Sequence, residues 1–230
     1  MSDEKTQKSI TYALKAPVIM TFPKLFTAER FKRNGKETAA APVFSANFLL
    51  VPDSEDLLAL KKIATEIAKQ NTQAALSTLR FPFANGDRKA DERKEKVGKD
   101  DAAFNRGKVI LAASTGEKYP PRLGVFPSGN PKDGALDLGT DEVLVKKYTS
   151  WFYSGANVLA VVSLKWYPAA NEEAKAGVKA YLSAVVSTGK GDHLASGGSV
   201  TSHFGAYTGH ATAEDPTKGL AAAGDDEIPF

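Results

Sequence analysis

A chain without cysteine must do its chemistry with oxygen and nitrogen groups, and here their spacing points to binding rather than catalysis. The three histidines, His193, His203 and His210, lie in a Gly-rich C-terminal stretch with no HxxxH or HExxH pattern, and no thiolate is present to complete a zinc site. Gly189-Lys190-Gly191 lacks the Ser/Thr and the strand–loop–helix setting of a phosphate loop. Asp100-Asp101 reads as part of a charged loop, and Asp141-Glu142 as a helix N-terminus. No Ser/His/Asp set has a recognisable elbow. Neither an enzymatic activity nor a cofactor or metal is expected.

Two constellations suit recognition. On the predicted strand Asn157–Tyr167, alternation puts Val158, Ala160, Val162, Leu164 and Trp166 on one face and Asn157, Leu159, Val161, Ser163, Lys165 and Tyr167 on the other. On Val178–Ser187 it puts Val178, Ala180, Leu182, Ala184 and Val186 inward, with Lys179, Tyr181, Ser183, Val185 and Ser187 outward. Paired as a hairpin, the strands present Lys165, Tyr167, Lys179 and Tyr181 together. Bases can stack on such rings for about 1–3 kcal/mol each while ammonium groups neutralise phosphate. An ordinary solvated sheet face also carries Tyr and Lys. Arg122 and Lys108 beside predicted strands, the loop cations Lys24, Arg30, Lys32 and Arg33, and Trp151 could extend this track. The second constellation is the terminal Asp225-Asp226-Glu227-Ile228-Pro229-Phe230. One apolar pocket flanked by Lys or Arg can read such an end, and Pro229 keeps it extended at low entropic cost.

Charge is divided along the chain. Net charge is +3, yet five acids against Lys218 leave −4 on residues 213–230, so residues 1–212 carry +7. A basic body with an acidic tail fits a partner of phosphates. No run approaches the ~20 apolar residues of a membrane span, and the polar start Met1–Lys8 has no apolar segment behind it. A cytoplasmic setting is therefore expected.

The elements must place these groups. Residues 10–22 read as a strand bent near Pro17, followed by a basic loop to Lys36. Val43–Val51 is a second strand, and Asp53 or Ser54 caps a helix to about Gln70 whose Leu57, Leu60, Ile63, Ala64 and Ile67 share a face. A short second helix near Thr72–Leu79 is weaker. Residues 85–108, with eight Lys/Arg and six acids, read as a mobile charged insertion. Lys108–Ser114, Arg122–Phe126, Gly155–Trp166 and Gly177–Ser187 are strands. From Thr188 to residue 224 the composition becomes that of a flexible linker. The expected architecture is mainly β over residues 1–187: an OB-fold-like barrel with one or two helices, then the linker and a flexible acidic tail. Another barrel or a sandwich has the same strand count.

The tail resembles that of bacterial single-stranded DNA-binding proteins, which end Asp-Asp-Asp-Ile-Pro-Phe. The chain from about residue 10 to 190 resembles phage single-stranded DNA-binding proteins of the OB-fold type. That likeness lies in Lys15–Phe26, Phe44–Pro52 with the Leu57–Ile67 helix, Gly107–Ser114, and Trp151–Gly155 with its hairpin. It implies nonspecific coating of single-stranded DNA in replication, recombination and repair, in the cytoplasm of an infected bacterium. It also implies recruitment of a polymerase, primase/helicase or nuclease through residues 225–230, and it is compatible with a homodimer. The alternative is an adaptor whose tail occupies host pockets without DNA binding.

Overall fold

The apolar alternation of the chain closes on itself. In the computed structural model, which describes residues 9–33, 36–169 and 174–194, the elements run β1 (Ile10–Ala13), β2 (Val18–Glu29), β3 (Lys32–Arg33), β4 (Lys36–Glu37), β5 (Val43–Leu50) and α1 (Glu55–Asn71). Then come β6 (Phe83–Asn85), α2 (Gly86–Val97), β7 (Val109–Gly116), β8 (Arg122–Val125), β9 (Leu136–Asp137), α3 (Glu142–Tyr148), β10 (Ala156–Tyr167) and β11 (Gly177–Gly191). The long strands form a ring in the order β2–β5–β7–β11–β10 and back to β2. All neighbours are antiparallel except β7 and β11, which are parallel and meet at Ala113 and Ala180. Five strands ordered 1-2-3-5-4-1, with the third parallel to the fifth, are an OB-fold barrel. The closure is narrowest between β7 and β11, beside which β8 continues the sheet along β11.

The barrel interior holds Met20, Phe48, Leu111, Val158, Val162, Leu164 and Val185, all fully buried. Helix α1 starts at Ser54, whose hydroxyl accepts the Leu57 N–H, and it buries Leu57, Leu60, Ala64 and Ile67 in the same core. Tyr148, at the C-terminus of α3, meets Trp151 edge-on at 5.0 Å.

Five features differ from the sequence reading, one being that β11 runs on to Gly191 rather than ending at Ser187. The predicted first strand is two, because Pro17 has no N–H to donate; β1 and β2 take successive stretches of the same β10 edge. On β11 the alternation slips at Ser183, where a bulge lets Leu182 pair with Val162 and Ala184 with Val161. Val185 and Ser187, expected outside, are therefore buried, while Ala184 and Val186, expected inside, are half-buried. Near Thr72–Leu79 only a 3-10 turn, Leu76–Thr78, forms. Finally, residues 85–108 contain helix α2 rather than a loop. Asn85 caps it, Glu92 accepts from Lys89 and pairs with Arg88, and Gly98 ends it at φ 73°. Arg93 forks onto Asp101, holding that carboxyl below its usual range, while Arg106 joins Asp91 and Asp100. With Ala90 its one buried side chain besides Gly86, α2 shows no apolar period. Local caps and ion pairs, each weak alone, act together.

Candidate nucleic-acid interface

The predicted groups fall on different arcs of the barrel. Lys165 and Lys179 sit directly opposite each other on β10 and β11, and Tyr181 faces Ser163. All are half-buried on the outer sheet surface, with Tyr167 at the open end opposite Gly177. The Lys179 ammonium lies 4.9 Å from the Tyr181 ring centre, and burial lowers the Lys179 pKa. Neither lysine forms an ion pair with a described residue. The hairpin face is thus assembled as the alternation requires, around a like-charge pair that destabilises the sheet when unneutralised.

A second face is formed by β2, β5 and β7. Ser45 and Asn47 on β5 register with Ser114 and Ala112 on β7, a floor of short polar and small side chains. Beside it, Phe22 and Pro23 of β2 stand opposite the single residue Ala46 between the Thr21–Asn47 and Lys24–Ser45 pairs, a bulge of one extra residue. The bulge holds Phe22 at φ 50° and turns its ring outward, 54% exposed. The Phe22 N–H donates to Ser154 Oγ at 2.9 Å. At the other end the β2–β5 connection carries exposed Arg30, Phe31 (65% exposed) and Lys36, and the turn after β7 carries Tyr119 (74% exposed). Arg30 and Lys36 enter no ion pair with a described residue, whereas Lys24 is tied to Glu29 at 2.6 Å.

The lower part of this face is covered. Thr21, Leu49 and Ile110 alternate with interior residues, so they point outward from β2, β5 and β7, yet all three are buried. Leu49 and Ile110 are cross-strand partners outside the interior cluster. The insertion lies at this edge of the face. β6 pairs with the start of β7, Gly86 N–H donates to the Lys108 carbonyl, and Phe104 brings its ring 6.3 Å from that of Phe22.

Other predicted residues lie elsewhere. Arg122 is on β8, exposed and paired with Asp137 at 3.0 Å. Lys108 is half-buried at the insertion's base. Trp151 is half-buried, and a Cβ on Gly189 would stand 2.5 Å from its ring, so it packs as a lid on β11. Lys32 and Arg33 form a two-residue ladder with Glu37 and Lys36. Asp225, Asp226, Glu227, Ile228, Pro229 and Phe230 lie outside the described residues.

With this geometry in place, comparison with solved structures finds phage single-stranded DNA-binding proteins. The single-stranded DNA-binding protein of bacteriophage Enc34 aligns with a TM-score of 0.50 and 18% identity, covering 90% of this chain and 97% of that one. The chain shares its fold. The Enc34 protein in complex with single-stranded DNA aligns at 0.48 and 18% identity, over 84% and 94%. The bacteriophage T7 single-stranded DNA-binding protein gp2.5 aligns at 0.48 and 12%, over 87% and 94%. The sequence matches no family model and no curated protein. In this OB barrel Phe22, Phe31, Tyr119, Asn47 and Phe104 escape the sequence reading. Phe22-Pro23 in mid-strand is the available signal, since proline in a paired strand marks a bulge.

Proposed function

We propose that the chain is a non-enzymatic, sequence-nonspecific single-stranded DNA-binding protein whose nucleic acid runs over the β2–β5–β7 face. The observation that carries this reading is the combination of a small-polar floor on the second and third strands of an OB barrel with exposed rings and uncompensated cations on the first strand and the adjoining connections. That face and the loop between the first two strands are where OB-folds generally take oligonucleotides. Phe31, Tyr119 and Phe22 offer stacking surfaces that accept any base, and Arg30 and Lys36 can pair with phosphates. The hairpin face, with Lys165 opposite Lys179, is the competing location.

Roles in phage replication, recombination and repair within the host cytoplasm belong to the same proposal, as does recruitment of polymerase, primase/helicase or nuclease partners by residues 225–230. Fluorescence anisotropy with labelled oligo-dT across a salt series tests the core of it. A DNA-binding protein shows affinity that falls as a power of salt concentration. Absence of binding at low salt would leave an adaptor that acts through its tail alone.

A further inference from the structure

We infer that the insertion 86–108 is the closed end of the single-strand groove, and that Phe22 and Phe104 together form a stacking site there for an unpaired base. The inference rests on the nucleic-acid reading above and adds to it a wall, a terminus and a subsite. Three independent observations meet at this place.

The first is backbone conformation. A bulky residue in the left-handed region costs roughly 1–3 kcal/mol and persists only where its surroundings enforce it. Phe22 is held there by the bulge and by its N–H bond to Ser154, while the neighbouring Gly155 N–H bonds the Met20 carbonyl at 2.8 Å. This strain does not bury the ring, which is left more than half exposed. A purely structural bulge would be expected to hide it.

The second is the partner ring. Phe104 sits in the 3-10 turn Ala103–Asn105, and its plane is tilted 50° from that of Phe22. Tilted rings 6.3 Å apart do not cover each other face to face, so the pair keeps a wedge-shaped apolar surface open to a planar guest. Base–aromatic stacking needs such a surface and no hydrogen-bond code.

The third is the seating of the insertion. β6 joins the insertion to β7 beside Ile110, which with Leu49 and Thr21 is buried at this end of the face. Within the insertion, Gly86 lies so close to the Asn105 carbonyl that a Cβ would fall 2.0 Å from the oxygen. The Asp87 carboxylate accepts the Gly107 N–H at 2.9 Å. A strand following Ser45 and Asn47 down the face therefore meets the two rings and must leave the barrel over the insertion. Lys94, Lys96 and Lys99 are exposed there and enter no ion pair with a described residue, so they can meet its phosphates.

Two measurements on the full chain test this. Photocrosslinking with a 5-iodouracil-substituted oligo-dT, read by mass spectrometry, should mark peptides containing Phe22 and Phe104. In anisotropy titrations Phe22→Ala and Phe104→Ala should each weaken oligo-dT binding about 5- to 150-fold, the range that one stacked base supplies. The double variant should be little worse than either single one, because the rings make one site. Phe104→Tyr keeps a ring and should bind like wild type, which separates stacking from loss of the insertion's seating. Wild-type binding with unchanged affinity in both alanine variants would overturn the inference and leave the DNA-binding proposal standing. So would crosslinks confined to residues 163–181. Failure of the wild-type chain to bind oligo-dT would remove both.

Discussion

Asp56 shows how one side chain can join two parts of the barrel. It is buried at the start of α1, and its carboxylate accepts the Tyr12 hydroxyl at 2.8 Å and the backbone N–H groups of Lys15 and Ala16 at 3.0–3.2 Å. The turn between β1 and β2 is thus pinned to the helix. Asp56→Ala strands these donors, and a loss of about 2–4 kcal/mol in urea unfolding is expected. Burial, and then the Asp56 bond, push the Tyr12 pKa up to about 12 from 10.0. A phenol whose folded pKa is raised contributes stability that is complete below the unfolded value of 10.0 and is lost as pH rises toward 12. The wild-type chain should therefore lose more stability between pH 10 and 11.5 than Tyr12→Phe does. Equal losses in the two proteins would show that the hydroxyl does not titrate as a linked group.

Among the elements, the two outer faces make opposite demands on their cations. Arg30 and Lys36 are exposed on the β2–β5 connection, free to follow phosphates. Lys165 and Lys179 are half-buried across a strand pair, where the stems pack and the Lys179 ammonium sits on Tyr181. If DNA follows the β5–β7 face, Arg30→Ala and Lys36→Ala should each reduce the slope of log K against log salt by about 0.7, the single-strand value per phosphate. Lys165→Ala and Lys179→Ala should leave the slope unchanged. The reverse pattern would move the strand to the β10–β11 hairpin, with Tyr167 and Tyr181 as its stacking rings.

On the scale of the whole molecule, the basic body and the acidic end must be considered together. Residues 1–212 carry +7 and residues 213–230 carry −4. A tethered polyanion reaches an effective concentration in the millimolar range near any groove its linker can span. Deleting 225–230 should leave oligo-dT affinity equal or tighter, with the gain largest at low salt, where screening is weakest. Phe230→Ala keeps every charge and should leave DNA affinity unchanged while losing partners in pull-downs of replication proteins. Equal tightening by both changes would rule out charge competition. No effect of either on any partner would reduce the tail to a solubility device.

Periodicity in the residue order is enough to make most of the barrel legible. The period of two in Val43–Leu50 and Ala156–Tyr167, and the three- and four-residue spacing of Leu57, Leu60, Ala64 and Ile67, each reflect a face that must be buried. Such patterns are local, and a one-dimensional reading recovers them. The hairpin face is legible for the same reason, up to the extra residue at Ser183, which reverses the alternation without changing composition. The insertion is opaque because α2 rests on caps and ion pairs between residues such as Arg106 and Asp91, whose pairing depends on how the segment folds back. Least legible is the groove. Thr21, Leu49 and Ile110 alternate with interior residues and are buried nonetheless, which residue order alone does not announce. Phe22 and Phe104 are far apart in sequence and carry no shared motif. Their contact exists because barrel closure and insertion docking bring β2 and the insertion to the same edge of the β5 surface, and long-range geometry of that kind leaves no local signature in residue order.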